Sequence, residues 1–227
     1  MFIIFSLIVL IVSASFHELA HGWVAYKLGD STAKDAGRLT MNPLVHIDPV
    51  GSVLVPLLLL AAHSPFLIAA ARPVPVNPYN LHDSKYGSMK VSLAGPAANF
   101  ALAVVFGIIA RIVPLSAGFK INLINNYFMG DTEAVLVLIH GSFAASIFVM
   151  SVIFCFINLI LMVFNLVPIP PLDGSKVIMP FLPTNFQKIM YTIEPYGFFI
   201  LIFMLMSGWL SFVFPIVFNL FVFLAGV

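Results

Sequence analysis

The stretch His17-Glu18-Leu19-Ala20-His21 lies inside an otherwise apolar run that begins at Met1. Ionisable side chains are costly to place in a membrane span, so a cluster of them there marks a functional site before anything else. On a helix, residues four apart share a face. Two imidazoles so placed can each offer a nitrogen to one zinc ion, with Glu18 beside them as general base. The run is long enough to cross a bilayer, and reading it as a retained membrane helix sets the fold class of the whole chain. It lacks the basic leader of a signal peptide, and cleavage would discard the histidine pair.

Composition agrees with a membrane setting. The 227 residues are 61% hydrophobic and 8% charged, against roughly 25% charged in a soluble domain, and mean hydropathy is +1.09. The polar segments are all short, so we expect one membrane domain over residues 1–227, with a motif-bearing core at 1–180 and a C-terminal membrane region at 181–227. A net charge of +1 gives no basic face for nucleic acid. Cys155 is the only cysteine, which excludes an internal disulfide or a thiolate cluster.

The expected architecture is an all-α polytopic helical bundle with a re-entrant segment and short extended or β pieces at the interface. The first span runs from about Phe2 to Tyr26. Lys27 to Asp48 is polar, interrupted by Gly29 and Gly37, and could hold short strands. Gly51 to Ala71 is apolar but divided by Pro56 and His63-Ser64-Pro65. Arg72 to Lys90 carries Pro73, Pro75 and Pro78 and reads as extended or turn chain. Further apolar runs span Val91 to about Val113 and about Val135 or Ser142 to Phe164, separated by a polar stretch around Lys120 to Glu133. Tyr196 to Val227 suits one tilted helix or two short ones, with a kink at Pro215.

Topology turns on Gly51 to Ala71. A full crossing there would put Asp173 on the opposite side from the end of the first helix, whereas a re-entrant hairpin near His63 to Pro65 returns the chain to the same side, which is tolerable where protein or water covers it. In the re-entrant arrangement Lys27, Lys34, Arg38, Arg72, Lys85, Lys90, Lys176 and Lys188 share the site side, leaving Arg111 and Lys120 opposite. A full crossing would split the 10 basic residues evenly. The positive-inside rule favours the re-entrant form and a site facing the cytoplasm.

A catalytic zinc takes three protein ligands and leaves a position for water. Asp173 is the best third ligand: it is the only acidic residue between Glu133 and Glu194, and Gly174 and the preceding prolines allow a non-helical approach. Alone it would read equally well as a turn or cap aspartate. Glu18 would take a proton from the attacking water and pass it to the departing amine. Asn99 and Asn165, amides in apolar surroundings, are candidates to stabilise the oxyanion, or else to cap or bridge helices. Arg72-Pro73-Val74-Pro75-Val76-Asn77-Pro78 could offer an edge or gate to an unwound substrate segment, or form a rigid connection. His46, beside Asp48, could approach the site. His63, His82 and His140 read as turn or polar-contact residues.

These residues carry a family resemblance. His17-Glu18-Leu19-Ala20-His21, Gly37-Arg38-Leu39-Thr40-Met41-Asn42-Pro43, Gly95-Pro96-Ala97-Ala98-Asn99 and Asn165 through Gly174, in that order, cover most of the first 180 residues. Together they resemble the site-2 proteases, intramembrane zinc metalloproteases, in the compact prokaryotic form without PDZ or CBS domains. The resemblance implies one zinc per chain held by His17, His21 and Asp173, with Glu18 as catalytic acid or base and Asn99 as the asparagine near the active site. It implies transmembrane or membrane-proximal substrates, already shortened by another protease, in a prokaryotic cell membrane. A cation transporter or channel built on the same ligands is the alternative, and a scaffold with a structural zinc is a third.

Overall fold

A computed structural model describes residues 2–46 and 72–227, and among these the chain is helical with no strand. In order the helices are α1 (Phe2–Lys27), α2 (Thr32–Asp35), α3 (Gly87–Ile112), α4 (Ala117–Phe128), α5 (Thr132–Ile139), α6 (Phe143–Asn165), α7 (Asp173–Ile178), α8 (Thr184–Ile193), α9 (Gly197–Met206) and α10 (Val213–Ala225). The segments Phe2–Lys27, Gly87–Ile112, Phe143–Asn165 and Thr184–Met206 are each long and apolar enough to cross a membrane. The chain is a multi-pass membrane protein.

The core is a bundle of α1, α3 and α6, with α10 packed against α3 and α6. Val9, Ala103, Ala110, Phe148, Ile153, Leu159, Val217 and Phe221 are buried in it. Small residues on α3 let helices approach closely, as membrane packing favours: a methyl at Gly107 would stand 2.8 Å from Leu224 Cβ on α10. The outward faces are apolar too, with Ile4, Val105, Phe143, Phe203 and Phe223 all exposed, which suits a hydrocarbon surround. Lys120, nearly buried, donates to Ala110 O at 2.9 Å and Arg111 O at 2.8 Å. It thereby satisfies carbonyls that the end of α3 would otherwise leave unpaired.

Several expectations needed correction. Between Lys27 and His46 there is no strand. Helix α2 and a single turn of 3-10 helix at Pro43–Val45, capped by Asn42 Oδ1 accepting from Leu44 N at 3.1 Å, take its place. The polar stretch around Lys120 to Glu133, to which no element was assigned, falls in α4 and the start of α5, N-capped by Ser116 and Asp131. The C-terminal region forms two helices, and the break falls at Gly208, whose φ of 75° closes α9. No kink arises at Pro215. It sits in the first turn of α10, where a missing N–H costs nothing. The expected hairpin near His63 to Pro65, and Asp48, lie outside the described residues.

Arg72 to Asn77 has no regular secondary structure, as its prolines dictate. This strap is fixed at both ends. The Arg38 guanidinium donates to Arg72 O at 2.9 Å, to Pro73 O at 3.3 Å and to Val45 O. Asp30, fully buried just beyond α1, accepts from Asn77 N at 2.7 Å, Asn80 Nδ2 at 3.0 Å and Thr32 N at 3.1 Å. His82 N also donates to Leu28 O at 2.8 Å. The C-terminal end of α1, the strap and the start of α3 therefore meet at one end of the bundle.

Candidate metal centre

The helical register of α1 places His17 and His21 on its buried face, and their Nε2 atoms stand 2.9 Å apart. Asp173 opens α7, and its Oδ2 lies 3.1 Å from His17 Nε2 and 3.2 Å from His21 Nε2. Two glycines permit this convergence. A methyl at Gly174 would press on the Leu166 and Val167 carbonyl oxygens, so the turn leading to Asp173 can fold back against the end of α6 only with hydrogen there. A methyl at Gly95 would stand 2.6 Å from His17 Nε2 and closer still to His21 Nε2, so α3 can run past both imidazoles only at a glycine.

The other ring nitrogens decide what the cluster can hold. His21 Nδ1 is 2.7 Å from the Val91 carbonyl oxygen, and His17 Nδ1 is 2.6 Å from Asn99 Oδ1. Both partners accept, so each Nδ1 carries the proton and each Nε2 presents a lone pair. Three acceptor atoms then face one another with nothing to donate between them, an arrangement that requires a cation or added protons. Ligand atoms about 2.0–2.2 Å from a tetrahedral zinc lie roughly 3.3 Å apart. The three atoms here approach that spacing, and the residues fit the ion.

Glu18, next on the helix, is only partly buried, and its Oε2 accepts from Val74 N of the strap at 2.8 Å. Asn99 is fully buried against His17, with its amide nitrogen donating to Asn158 Oδ1 at 2.9 Å and lying 3.4 Å from Ser13 O. That nitrogen is spent, and Asn99 offers no donor to an oxyanion in this arrangement. Asn165 Nδ2 donates to Leu161 O of its own helix at 2.9 Å. His46 is buried, with Nε2 2.9 Å from Thr40 O, and it is not in the His-His-Asp group. His82 packs over Gly29 and His140 ends α5. His63 lies outside the described residues. Asn158, Ser13, Arg38 and the Val91 carbonyl were missed as site residues. For Asn158 there was a signal, an amide in the middle of an apolar span.

The profile of peptidase family M50 matches residues 68–208, a stretch that includes Gly95 to Asn99 and Leu172-Asp173-Gly174. The chain belongs to peptidase family M50. Among curated proteins, this M50 peptidase is 37% identical over 196 residues to the candidate zinc metalloprotease YwhC of Bacillus subtilis, covering 85% of this chain and 76% of YwhC. It is 27% identical over 197 residues to the candidate zinc metalloprotease Rip2 of Mycolicibacterium smegmatis, and 28% over 206 residues to Rip2 of Mycobacterium tuberculosis. Those alignments cover 87% and 88% of this chain but 64% and 67% of the relatives. No solved structure matches the chain. The site-2 protease resemblance is borne out, and with it a zinc-dependent intramembrane metalloprotease. Nothing in these likenesses supports the transporter alternative.

Proposed function

We propose that His17 Nε2, His21 Nε2 and Asp173 hold the zinc of this M50 peptidase, that Glu18 is its acid and base, and that Asn99 orients His17. The observation that carries this assignment is the convergence of three proton-free acceptors on one point, with Glu18 one residue away. When bound, zinc supplies Lewis-acid polarisation and makes water a stronger nucleophile near neutral pH. Glu18 takes the proton of the attacking water on Oε1, the oxygen not engaged by Val74 N–H, and returns it to the departing amide nitrogen. Val74 N–H meanwhile steadies the carboxylate. Asn99 and the Val91 carbonyl hold the two imidazoles in register, so the ligands need little reorganisation.

The substrate is a transmembrane or membrane-proximal segment, already shortened by another protease and locally unwound, since an intact helix keeps its carbonyls hydrogen-bonded. The strap, beside Glu18 and rigid at both ends, is its docking edge. Arg72 N donates to His46 O at 2.8 Å, so the chain before Gly51 and after Ala71 meets at one place, which supports the re-entrant reading of that stretch. The basic residues clustered at this end support a site facing the cytoplasm of a prokaryotic cell.

Wild type and Glu18→Gln, reconstituted in vesicles with a panel of remnant signal peptides, test the assignment with cleavage and zinc flux read in parallel. Cleavage by wild type alone is expected, with zinc retained in both proteins. Equal cleavage by the variant, or flux without cleavage in either, overturns it. An Asn80→Cys variant should react with impermeant thiol reagent only from the cytoplasmic side, and external labelling would refute the orientation.

A further inference from the structure

A chain of buried amides runs from His17 through Asn99 to Asn158, linking α1, α3 and α6 in the middle of the bundle. Asn99 and Asn158 are both fully buried, as is Ser13 on α1. Asn158 Nδ2 is 2.8 Å from the Phe154 carbonyl oxygen, one turn back on its own helix, and 2.8 Å from Ser13 Oγ. Its Oδ1 is 2.9 Å from Asn99 Nδ2, and Asn99 Oδ1 is 2.6 Å from His17 Nδ1.

Side-chain amides can point either way, and only their partners decide. Here the partners leave one solution. A backbone carbonyl cannot donate, so Phe154 O requires the nitrogen of Asn158 on its side. Asn158 then turns an oxygen toward Asn99, and that oxygen can only accept. Asn99 must therefore offer its nitrogen to Asn158, which also suits the Ser13 carbonyl, and must turn its oxygen to His17. Facing an acceptor, His17 Nδ1 must carry the proton, which leaves Nε2 bare toward His21 and Asp173. Reversing one amide would put nitrogen against nitrogen somewhere along the line, and in a membrane interior no water is at hand to repair it. His21 needs no such relay because the Val91 carbonyl addresses its Nδ1 directly.

We infer that Asn158 is a positioning residue for the metal centre, acting through Asn99 to fix the tautomer and ring orientation of His17. This rests on the proposed zinc ligands and goes beyond them, because Asn158 touches neither metal nor substrate. Its contribution is to hold one orientation of Asn99, and without Asn99 it has nothing to act on.

The test is a double-mutant cycle on zinc affinity, measured by chelator competition in detergent on the full chain, with folding checked by helical circular dichroism and thermal unfolding. The four proteins are wild type, Asn99→Ala, Asn158→Leu and the double variant, and His17→Ala serves as the control for the site. Outer partners of metal ligands typically contribute 10- to 100-fold in affinity, and Asn158→Leu should weaken zinc about tenfold. In the Asn99→Ala background it should cost nothing further, which a merely structural asparagine would not imitate. An equal fold-loss in both backgrounds, or no loss in either, overturns the relay while leaving the ligands in place. Zinc affinity in wild type that His17→Ala does not diminish overturns the ligand assignment and the relay with it. Asn158→Ala enters the same cycle if the leucine variant does not fold.

Discussion

A single methyl group at position 95 should separate the stability of the helix from the integrity of the metal centre. Gly95 lies within α3, and in a helix with free space Gly→Ala stabilises by about 0.5–1 kcal/mol. There is no free space here. The added carbon would stand 2.6 Å from His17 Nε2, about 0.8 Å inside ordinary van der Waals contact, and would crowd His21 Nε2 more. Metal–ligand distances tolerate about 0.2 Å, so the rings cannot yield to the methyl and still share one ion. Overpacking costs about 1–3 kcal/mol, and the helix propensity returns part of it. Gly95→Ala should therefore lose about 0–2 kcal/mol of stability yet bind zinc about 10- to 100-fold more weakly, on the scale set by disturbing the support of metal ligands. Gly118→Ala, at a helical site with nothing within 4 Å, should leave zinc affinity unchanged and be neutral or slightly stabilising. Chelator competition and thermal unfolding on the three proteins give the comparison. Wild-type zinc affinity in folded Gly95→Ala would refute the placement of α3 against the imidazoles.

The strap yields two further predictions. Val74→Pro removes the N–H that donates to Glu18 and should lower kcat about tenfold with KM and zinc content unchanged, whereas Val74→Ala should behave as wild type. A loss confined to KM would show that the strap serves substrate binding alone. For Asp30, burial raises the carboxyl, but donors from Thr32, Asn77 and Asn80 outweigh it and hold it below the ordinary range. A depressed folded-state pKa contributes stability in full above the unfolded value of about 3.9 and loses it as pH falls through the folded value. The unfolding midpoint of wild type should accordingly drop on acidification below about pH 4, and Asp30→Asn should flatten that part of the profile. An unchanged acid slope in the variant would mean that other groups govern it.

The parts legible in the sequence share a physical reason. His17, Glu18 and His21 are charged or polar groups in an apolar helix, and a fixed helical register carries four-residue spacing straight into geometry. Asp173 was legible because the long segment after Glu133 offers no other carboxylate, and the membrane spans because hydropathy and length suffice for them. What escaped depends on contacts between distant segments. Gly95 stands in a motif visible in the sequence, but the close approach to His17 and His21 that requires it appears only once α1 is packed against it. Asn99 was legible as an amide in apolar surroundings, but that its nitrogen turns away from the site toward Asn158 depends on a contact between α3 and α6. The helices Ala117–Phe128 and Thr132–Ile139 were not read from the polar stretch around Lys120 to Glu133, and the break at Gly208 was expected at Pro215, although proline in a first helical turn is no obstacle.

Zinc per purified chain tests the central claim most directly, for wild type, Asp173→Ala and a His17→Ala, His21→Ala double variant, after loosely bound metal has been removed. Three converging ligands predict close to one zinc in wild type and a clear loss in both folded variants. Full zinc content in Asp173→Ala would contradict the third ligand, and a folded wild-type protein that holds no divalent metal would contradict the centre altogether.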